Sequence, residues 1–189
     1  MLKNSKFLLL PVCLVASSMA ASAEDGTITF TGTISSATCI VTGGSDTGGQ
    51  SVSGNFTVPL KDVSTTALSA AGKKAGDTAF HITLSGTDCP NDKFANVSWE
   101  QAASVNIDSA TGNLKNSVAT GSATNVQVLL SDENKAPIDL RIKVSDPTAG
   151  KKIANNSAIF NYWAQYIATG GASTAGTVTT DIVYSVIYN

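Results

Sequence analysis

The sequence predicts an all-β fold, a sandwich of short strands. From Glu24 onward the chain is rich in Thr, Ser, Gly, Val and Ile, which are typical of strands and of the turns between them. Apolar and polar residues alternate in several short runs, and clusters of turn residues separate these runs at regular spacing. One short segment alone favours a helical turn. Together these three observations indicate a single all-β domain.

The first 23 residues have the pattern of a secretory signal. Lys3 and Lys6 give a positive start, residues 7–16 form a short apolar core, and residues 21–23 (Ala-Ser-Ala) suit signal peptidase. An apolar run of about ten residues is too short to span a bilayer, which takes ~20 residues in a helix. Pro11 disfavours a spanning helix further. We therefore expect cleavage after residue 23, and no membrane span in the mature chain.

Alternating runs predict the strands. Ile28, Phe30 and Ile34 share one face of the first run. In the third run Ile82 lies between Phe80 and Leu84 on one face, and His81 points the other way. The predicted strands are residues 26–34, 52–60, 79–84, 95–100, 126–130, 138–144, 159–167 and 178–188.

One helical turn is expected between the second and third strands. Ser64 is a good N-cap for residues 65–71, and Gly72 follows as a terminator. Residues 43–49 (GGSDTGG) form a flexible, hairpin-like connection. The chain has no internal repeat and no linker that would divide two domains.

Two cysteines remain after the signal is removed, since Cys13 leaves with it. In an exported chain, Cys39 and Cys89 indicate one disulfide, which closes a loop of about 51 residues. A metal pair is the alternative, but a sequence with one histidine and no Cys-x-x-Cys motif lacks further ligands.

Charge argues against nucleic acid as a partner. Without Lys3 and Lys6 the mature chain has ten basic and fourteen acidic side chains. Phosphate binding needs clustered Lys and Arg. The two basic pairs, residues 73–74 and 151–152, lie in Gly- and Ala-rich stretches that we interpret as solvated turns.

Catalysis is also disfavoured. His81 is the single histidine and lies on the polar face of a strand. The sequence contains no G-x-S-x-G, no H-E-x-x-H and no glycine-rich loop leading into a helix. Asp132, Glu133 and Asp139 are loop carboxylates, which are usually solvated. We expect no enzyme, no metal site and no cofactor.

The two ends of the mature chain both carry apolar-alternating strands. In residues 178–189 one face presents Ile182, Tyr184, Val186 and Tyr188. Alternation alone leaves two arrangements open for residues 26–34. This strand either pairs within its own sheet, as in most sandwiches, or serves a partner.

Three segments in order resemble the type 1 fimbrial subunit family of chaperone–usher pili. The first is GTITFTGTISSATC (residues 26–39), with Gly32 seven residues before the first cysteine. The second is VPLKDVSTTALSAAGKKAGDTAFHITLSGTDC (residues 58–89), with a short helical turn, a strand and the second cysteine. The third is FNYWAQYIATGGASTAGTVTTDIVYSVIYN (residues 160–189), with an aromatic-alternating strand, a Thr-Ala-Gly turn and a penultimate tyrosine. The resemblance covers essentially the whole mature chain.

The resemblance implies an incomplete immunoglobulin-like sandwich that lacks its last strand, with an N-terminal donor-strand extension. The extension would be residues 24–35 and the pilin domain residues 36–189, and a neighbouring subunit's extension would fill the open groove. The donor residues implied are Ile28, Phe30, Gly32 and Ile34, with Gly32 where the groove is too shallow for a side chain. The groove and chaperone-binding strand would contain Ile182, Tyr184, Val186, Tyr188 and Asn189, and the core would include Phe160, Tyr162, Ala164 and Tyr166.

The partners implied are a periplasmic pilus chaperone, an outer-membrane usher and neighbouring pilus subunits, in a homopolymer. The location implied is a fimbrium on the bacterial surface, reached through the periplasm, where the polymer supports cell adhesion. The short extension before Gly26 leaves both a major and a minor subunit open, with the major subunit slightly favoured. The alternative function is an exported monomeric carbohydrate-binding sandwich or an adhesin. Trp99 and Trp163 match no family motif. Each is either a surface contact between turns of the polymer or a partly covered aromatic, and we favour the second.

Overall fold

The computed structural model describes residues 39–189. The predicted signal, residues 1–23, and the predicted extension, residues 24–35, lie outside the described residues. The strands are β1 Ile40–Ser45, β2 Gly48–Ser51, β3 Lys74–Ser85, β4 Phe94–Trp99, β5 Leu114–Lys115, β6 Val126–Ser131, β7 Lys151–Lys152, β8 Ser157–Ala168 and β9 Tyr184–Tyr188. Three short 3₁₀ turns, Thr65–Leu68, Gln101–Ala103 and Pro147–Ala149, lie in the connections.

The strands form two antiparallel sheets. The larger has the order β2-β1-β3-β8-β6-β5 and the smaller has the order β7-β4-β9. The long pair β3 and β8 is the centre of the larger sheet, with Phe80 opposite Tyr162 and Ile82 opposite Phe160. These four apolar side chains fall on one face because successive residues of a strand point to opposite sides.

The larger of two hydrophobic clusters lies between the two sheets. The larger sheet contributes alternate residues of β3, β6 and β8, and the smaller sheet contributes alternate residues of β4. Burial on one face and polarity on the other is what the alternation predicted. The buried residues include Phe80, Ile82, Leu84, Ala95, Val97, Trp99, Val128, Leu130, Phe160, Tyr162 and Ala164.

The predicted disulfide is confirmed. Cys39 precedes β1 and Cys89 follows β3, and the two sulfur atoms are 2.02 Å apart, with 4.3 Å between the Cα atoms. β1 pairs with β3, from Ile40 opposite Ser85 to Ser45 opposite Phe80. The disulfide therefore links the chain just beyond one end of this pair of hydrogen-bonded strands.

Four of the predicted strands are present near their predicted bounds: β3, β4, β6 and β8. The predicted turn is present as a 3₁₀ turn that is shorter than expected, ending at Leu68. The Ser64 side chain accepts a hydrogen bond from the Thr66 amide, as an N-cap should. Residues 43–49, predicted as a hairpin-like connection, lie mostly within the β1–β2 hairpin itself. The pair 151–152, predicted as a solvated turn, forms β7 against β4.

The prediction of a strand at residues 138–144 is wrong. Ile138 and Leu140 do point into the core. However, the chain turns after them, because the Ile142 amide donates to the Asp139 carbonyl oxygen. The Arg141 guanidinium fixes this turn by pairing with the Asp139 carboxylate and by donating to the Ser109 carbonyl oxygen.

The predicted strand at residues 52–60 is also wrong, and the one at 178–188 is present only from Tyr184. Side-chain bonds between Ser51 and Ser53 turn the chain at the start of the first segment. Half-buried and exposed side chains still alternate in residues 54–60 and 178–184. Outside β9, these segments join no ladder with other described residues.

No helix within residues 39–189 has the length and apolar character needed to cross a membrane.

Candidate functional site: an apolar groove between two chain segments

A groove of about 1210 Å³ opens onto the apolar core in the described part of the chain. One wall, here called the first rim, is the chain between residues 54 and 65. The opposite wall, the second rim, is residues 173–186 and includes the start of β9. The first rim joins no strand ladder with described residues, the second rim joins one from Tyr184 onward, and the floor is the sandwich core.

The first rim presents alternate side chains to the core. Phe56, Val58 and Leu60 pack against the buried cluster, whereas the residues between them are exposed. Phe56 lies over Gly43 of β1, where a Cβ atom would be 2.3 Å from the ring. The glycine therefore makes room for the aromatic ring that holds this rim on the sheet.

The second rim alternates in the same way. Ile182, Tyr184 and Val186 pack against the core, while Val183 between them is 42% exposed. Tyr188 packs there as well, beyond the groove and directly opposite Ala95 of β4. Asn189 is exposed at the chain end, where its amide donates to the Phe94 carbonyl oxygen and its side-chain oxygen accepts from the Phe94 amide.

The floor of the groove is aromatic at one end and aliphatic at the other. Trp99 and Phe80 line the aromatic end, and the Trp99 ring meets the Tyr162 and Tyr184 rings edge-on, with centroids 5.4 Å and 6.3 Å apart. The aliphatic end is lined by residues that include Leu68, Leu114, Ala123, Val126, Val128, Leu130 and Ala164.

Trp99 was predicted to be partly covered, but only 3% of its surface is exposed. Its phase along β4, shared with Ala95 and Val97, is the sequence signal for a core position. Trp163 is on the outer face of β8, where the Lys135 ammonium lies 4.2 Å from the ring centroid and also pairs with Asp77. Lys135 thus partly covers Trp163, which agrees with the prediction that Trp163 is a partly covered aromatic.

Each end of the groove has a hydrogen bond between the chain segments that flank it. At the aliphatic end the Ser173 amide donates to the Leu68 carbonyl oxygen, 2.9 Å away. At the aromatic end the Tyr184 hydroxyl donates to the Gly54 carbonyl oxygen, 2.7 Å away. The second rim between Ser173 and Tyr184 spans up to about 36 Å if fully extended, enough to flank about ten residues of another strand.

The groove suits an uncharged, apolar chain. Among the described residues that line the groove, Asp62 and Asp181 are charged, and none is Lys or Arg. Burial raises the pKa of the Tyr166 and Tyr184 phenols, which consequently stay neutral. An anionic ligand would therefore find no counter-charge here.

The features that catalysis would need are not brought together. His81 lies on the outer face of β3, opposite Asn161. Within residues 39–189 no group of three or more His, Cys, Asp and Glu side chains has a geometry that could hold a metal ion. Glu133 pairs with Lys151, and Asp139 pairs with Arg141, as surface ion pairs.

The predicted donor residues Ile28, Phe30, Gly32 and Ile34 lie outside the described residues. Of the residues predicted for the groove and chaperone-binding strand, the structure brings Ile182, Tyr184 and Val186 together along the second rim. The first rim was not predicted as part of the groove, although the alternation at Phe56, Val58 and Leu60 was visible in the sequence.

Comparison with known proteins identifies the family. Residues 60–189 match the family described as "Type-1 fimbrial protein, A". The chain is 36% identical to the major fimbrial subunit SMF-1 of Stenotrophomonas maltophilia (strain K279a), over 93% of this chain and 99% of that protein. It is 37% identical to the F17 fimbrial protein of Escherichia coli, over 95% of this chain and 96% of that protein. A solved chaperone–usher pilus has a similar fold, with a TM-score of 0.54 at 12% identity, over 91% of this chain and 100% of that one.

The chain belongs to the type-1 fimbrial protein family. It is a structural subunit of a surface fimbria and not an enzyme, and the resemblance seen in the sequence is confirmed.

Proposed function

We propose that this fimbrial subunit polymerises by strand complementation, in which residues 24–35 of one copy fill the apolar groove of the next. The sandwich is then an incomplete immunoglobulin-like fold, and the inserted segment supplies its missing strand. The observation that carries the proposal is the groove itself, whose rims present alternate side chains to the core although residues 55–63 and 180–182 join no ladder with described residues.

Backbone hydrogen bonding supports an occupant that is itself a strand. Residues 55–63 of the first rim make no backbone–backbone hydrogen bond with other described residues, and the same holds for residues 180–182 of the second rim. Buried backbone groups are paired in nearly all native proteins, since leaving one unpaired costs free energy. Side chains already bond three of these groups: the Asn55 and Pro59 carbonyl oxygens accept from the Ser53 and Thr47 hydroxyls, and the Lys61 amide donates to the Thr78 hydroxyl. A strand laid between the rims can satisfy the others, as in other cases of strand addition.

The sequence of residues 24–35 supplies the side chains that such a strand needs. Ile28, Phe30 and Ile34 alternate with threonines, so one face of the segment is apolar. Burying each large apolar side chain contributes ~1.5–3 kcal/mol, and three of them together contribute several kcal/mol.

Before assembly, the C-terminal strand is the natural binding site for a periplasmic chaperone. Among described residues β9 pairs with β4 on one side only, which leaves a free edge beside the groove. A chaperone strand would cover this edge and reach Asn189 at the end of β9. An outer-membrane usher would then exchange this chaperone for the next copy. The similarity to a major subunit favours a homopolymer.

The test is a pair of matched substitutions in the full-length gene. Phe30→Asp places a charge on the apolar face of residues 24–35 and should abolish surface polymer, because a buried unpaired charge is costly. Thr29→Asp, on the opposite face, should leave assembly near the wild-type level. Polymer is measured by immunoblot of material sheared from cells, and folding by the amount of subunit in the periplasm.

Deleting residues 24–35 separates this function from that of a free sandwich. The deleted subunit should fold in the periplasm and accept a peptide of residues 24–35, but it should form no polymer. If these residues are an internal strand of a monomeric sandwich, the deletion should instead unfold the domain. Equal assembly by the Phe30→Asp and Thr29→Asp chains would refute the proposal.

A further inference from the structure

The outer face of the larger sheet has a shallow depression of about 410 Å³ beside Trp163. Trp163 of β8 lies directly opposite Ala79 of β3, and Asn161 of β8 lies directly opposite His81 of β3. Residues opposite each other on paired strands have Cβ atoms about 5 Å apart, and positions i and i+2 of one strand are about 7 Å apart. The four residues therefore form the corners of a small rectangle, in which the short side chain of Ala79 leaves space next to the indole ring.

Two carboxylates also line the depression. Asp46 follows β1 and Glu133 follows β6. Each is paired with a lysine, Asp46 with Lys61 at a nitrogen–oxygen distance of 3.3 Å and Glu133 with Lys151 at 2.7 Å. Their charges are consequently balanced, while their remaining lone pairs can still accept hydrogen bonds from a ligand. Among the described residues that line the depression, none is Lys or Arg.

The indole ring of Trp163 is held in place by a residue outside the depression. The Lys135 ammonium lies 4.2 Å from the ring centroid and 2.6 Å from the Asp77 carboxylate. Lys135 has a φ of 63°, which is uncommon for a residue with a side chain, and its amide donates to the Asp132 carbonyl oxygen within a tight turn. These contacts orient the ring before any ligand binds, which lowers the entropic cost of binding.

Three polar side chains in the depression are free to bond with a ligand. The Trp163 indole N–H, the Asn161 amide and the His81 imidazole have no hydrogen-bond partner among residues 39–189. The indole donates, whereas the amide and the imidazole can each donate or accept. Asn161 is exposed, and His81 and Trp163 are half-buried. A ligand on this face can therefore bond with all three without disturbing the core.

We propose that this depression binds a neutral sugar residue, such as the terminal hexose of a glycan. A pyranose ring presents C–H groups that pack on an aromatic ring, and its hydroxyls both donate and accept hydrogen bonds. The depression provides an aromatic ring surrounded by an amide, an imidazole and two carboxylates. An anionic ligand would meet carboxylates without a lining Lys or Arg, and a purely apolar ligand would leave these polar groups without partners.

This function goes beyond polymerisation, because the depression lies on the opposite side of the larger sheet from the core onto which the groove opens. A shallow site covers only part of a ligand, so we expect a single sugar to bind weakly. A fimbria repeats the subunit many times, however, and linking weak sites raises the apparent affinity by about 10²–10⁴-fold when a ligand reaches several of them.

The test uses fimbriae sheared from cells that express the full-length gene. The probes are the methyl glycosides of glucose, galactose, mannose and N-acetylglucosamine, and albumin that carries many copies of each sugar. Saturation-transfer NMR should detect binding of at least one glycoside, with the strongest transfer to its C–H protons. The albumin conjugate of that sugar should bind at least about a hundredfold more tightly than the glycoside.

Two substitutions should weaken this binding. Trp163→Ala removes the aromatic ring and Ala79→Leu fills the space beside it, and each should lower binding of the conjugate by at least about tenfold per amount of polymer. The matched control is Ile159→Ala, which removes a 48% exposed apolar side chain from the same face of β8 outside the depression and should leave binding unchanged. Asn161→Ala changes an exposed side chain, so it tests the site even if Trp163→Ala assembles poorly.

The proposal is overturned if none of the four sugars binds to wild-type fimbriae in either form. It is also overturned if Trp163→Ala, Ala79→Leu and Asn161→Ala fimbriae all bind as well as wild type, or if Ile159→Ala reduces binding as much as they do. Loss of polymer in the Trp163→Ala chain, without sugar binding by wild-type fimbriae, would identify this face as a contact between subunits instead. Strand complementation is tested separately by Phe30→Asp and stands or falls independently of these results.

Discussion

Removing the Cys39–Cys89 disulfide should weaken the whole domain and the first rim in particular. The bridge closes a loop with a sequence separation of 50 residues, and this loop contains β1, β2, the first rim and β3. Chain-entropy arguments give about 4 kcal/mol for a loop of this size. Whole domains of this kind are stable by about 5–15 kcal/mol, so the loss is a large fraction of the total.

Urea unfolding of the purified full-length chain measures this loss. With a slope of about 2 kcal/mol per molar urea, the Cys39→Ala/Cys89→Ala variant should unfold at a midpoint about 2 M lower than the oxidised protein. Adding reductant should lower the midpoint of the wild-type chain by a similar amount and leave that of the variant unchanged. A shift below about 0.5 M in both comparisons would show that the bridge contributes little and that the ladder between β1 and β3 suffices.

Two further predictions concern the second rim and a surface ion pair. Tyr188→Ala should weaken binding of the subunit to the proposed chaperone by about 2 kcal/mol, or about thirtyfold, because a half-buried aromatic contact is lost. Co-purification of subunit and chaperone measures this effect. Ile187→Ala, on the opposite face of β9, is the control and should have a smaller effect. Hydrogen bonds from Arg141 lower the pKa of Asp139 from 3.8 to about 2. The ion pair should therefore stabilise the turn above about pH 4 and be lost as the pH falls through about 2, and Arg141→Gln should return the pKa toward 3.8 in a carboxyl NMR titration. An unchanged Asp139 pKa in that variant would contradict the assigned cause.

The sequence predicted the sheets best where long strands are buried on one face. β3 and β8 have 12 residues each and alternate without interruption through most of their length. β5 and β7 have two residues each, and no periodicity can be detected in so short a run. Their existence depends on pairing with neighbours far away in the chain, which is tertiary information.

The error at residues 138–144 has a local cause. Alternation at Ile138 and Leu140 is real, because both side chains contact the core. What the pattern did not reveal is that Asp139 and Arg141, between and after them, hold each other and turn the chain. Polar residues in a strand pattern can equally well be turn-forming residues, and only their partners decide which.

Of the two rims of the groove, the sequence analysis predicted only the second. The second rim was expected because the resemblance pointed to the C-terminal strand, and Ile182, Tyr184 and Val186 do lie together along the groove. The first rim and Trp99 were missed, although the alternation of Phe56, Val58 and Leu60 and the phase of Trp99 were both available. Opposition of the two segments across a groove cannot be read from either segment alone.

Two other strand predictions are informative for the same reason: the one at 52–60 is wrong, and the one at 178–188 holds only from Tyr184. Both segments have the alternation of half-buried strands, and both keep alternate burial in the structure. They nevertheless join no ladder with described residues between positions 55 and 63 or between 180 and 182, and these positions face each other across one groove. Alternation reports which side chains face the core, whereas a ladder requires a neighbouring backbone. Under the proposed strand complementation a third strand would lie between these two segments, and residues 24–35 have the required alternation in the sequence.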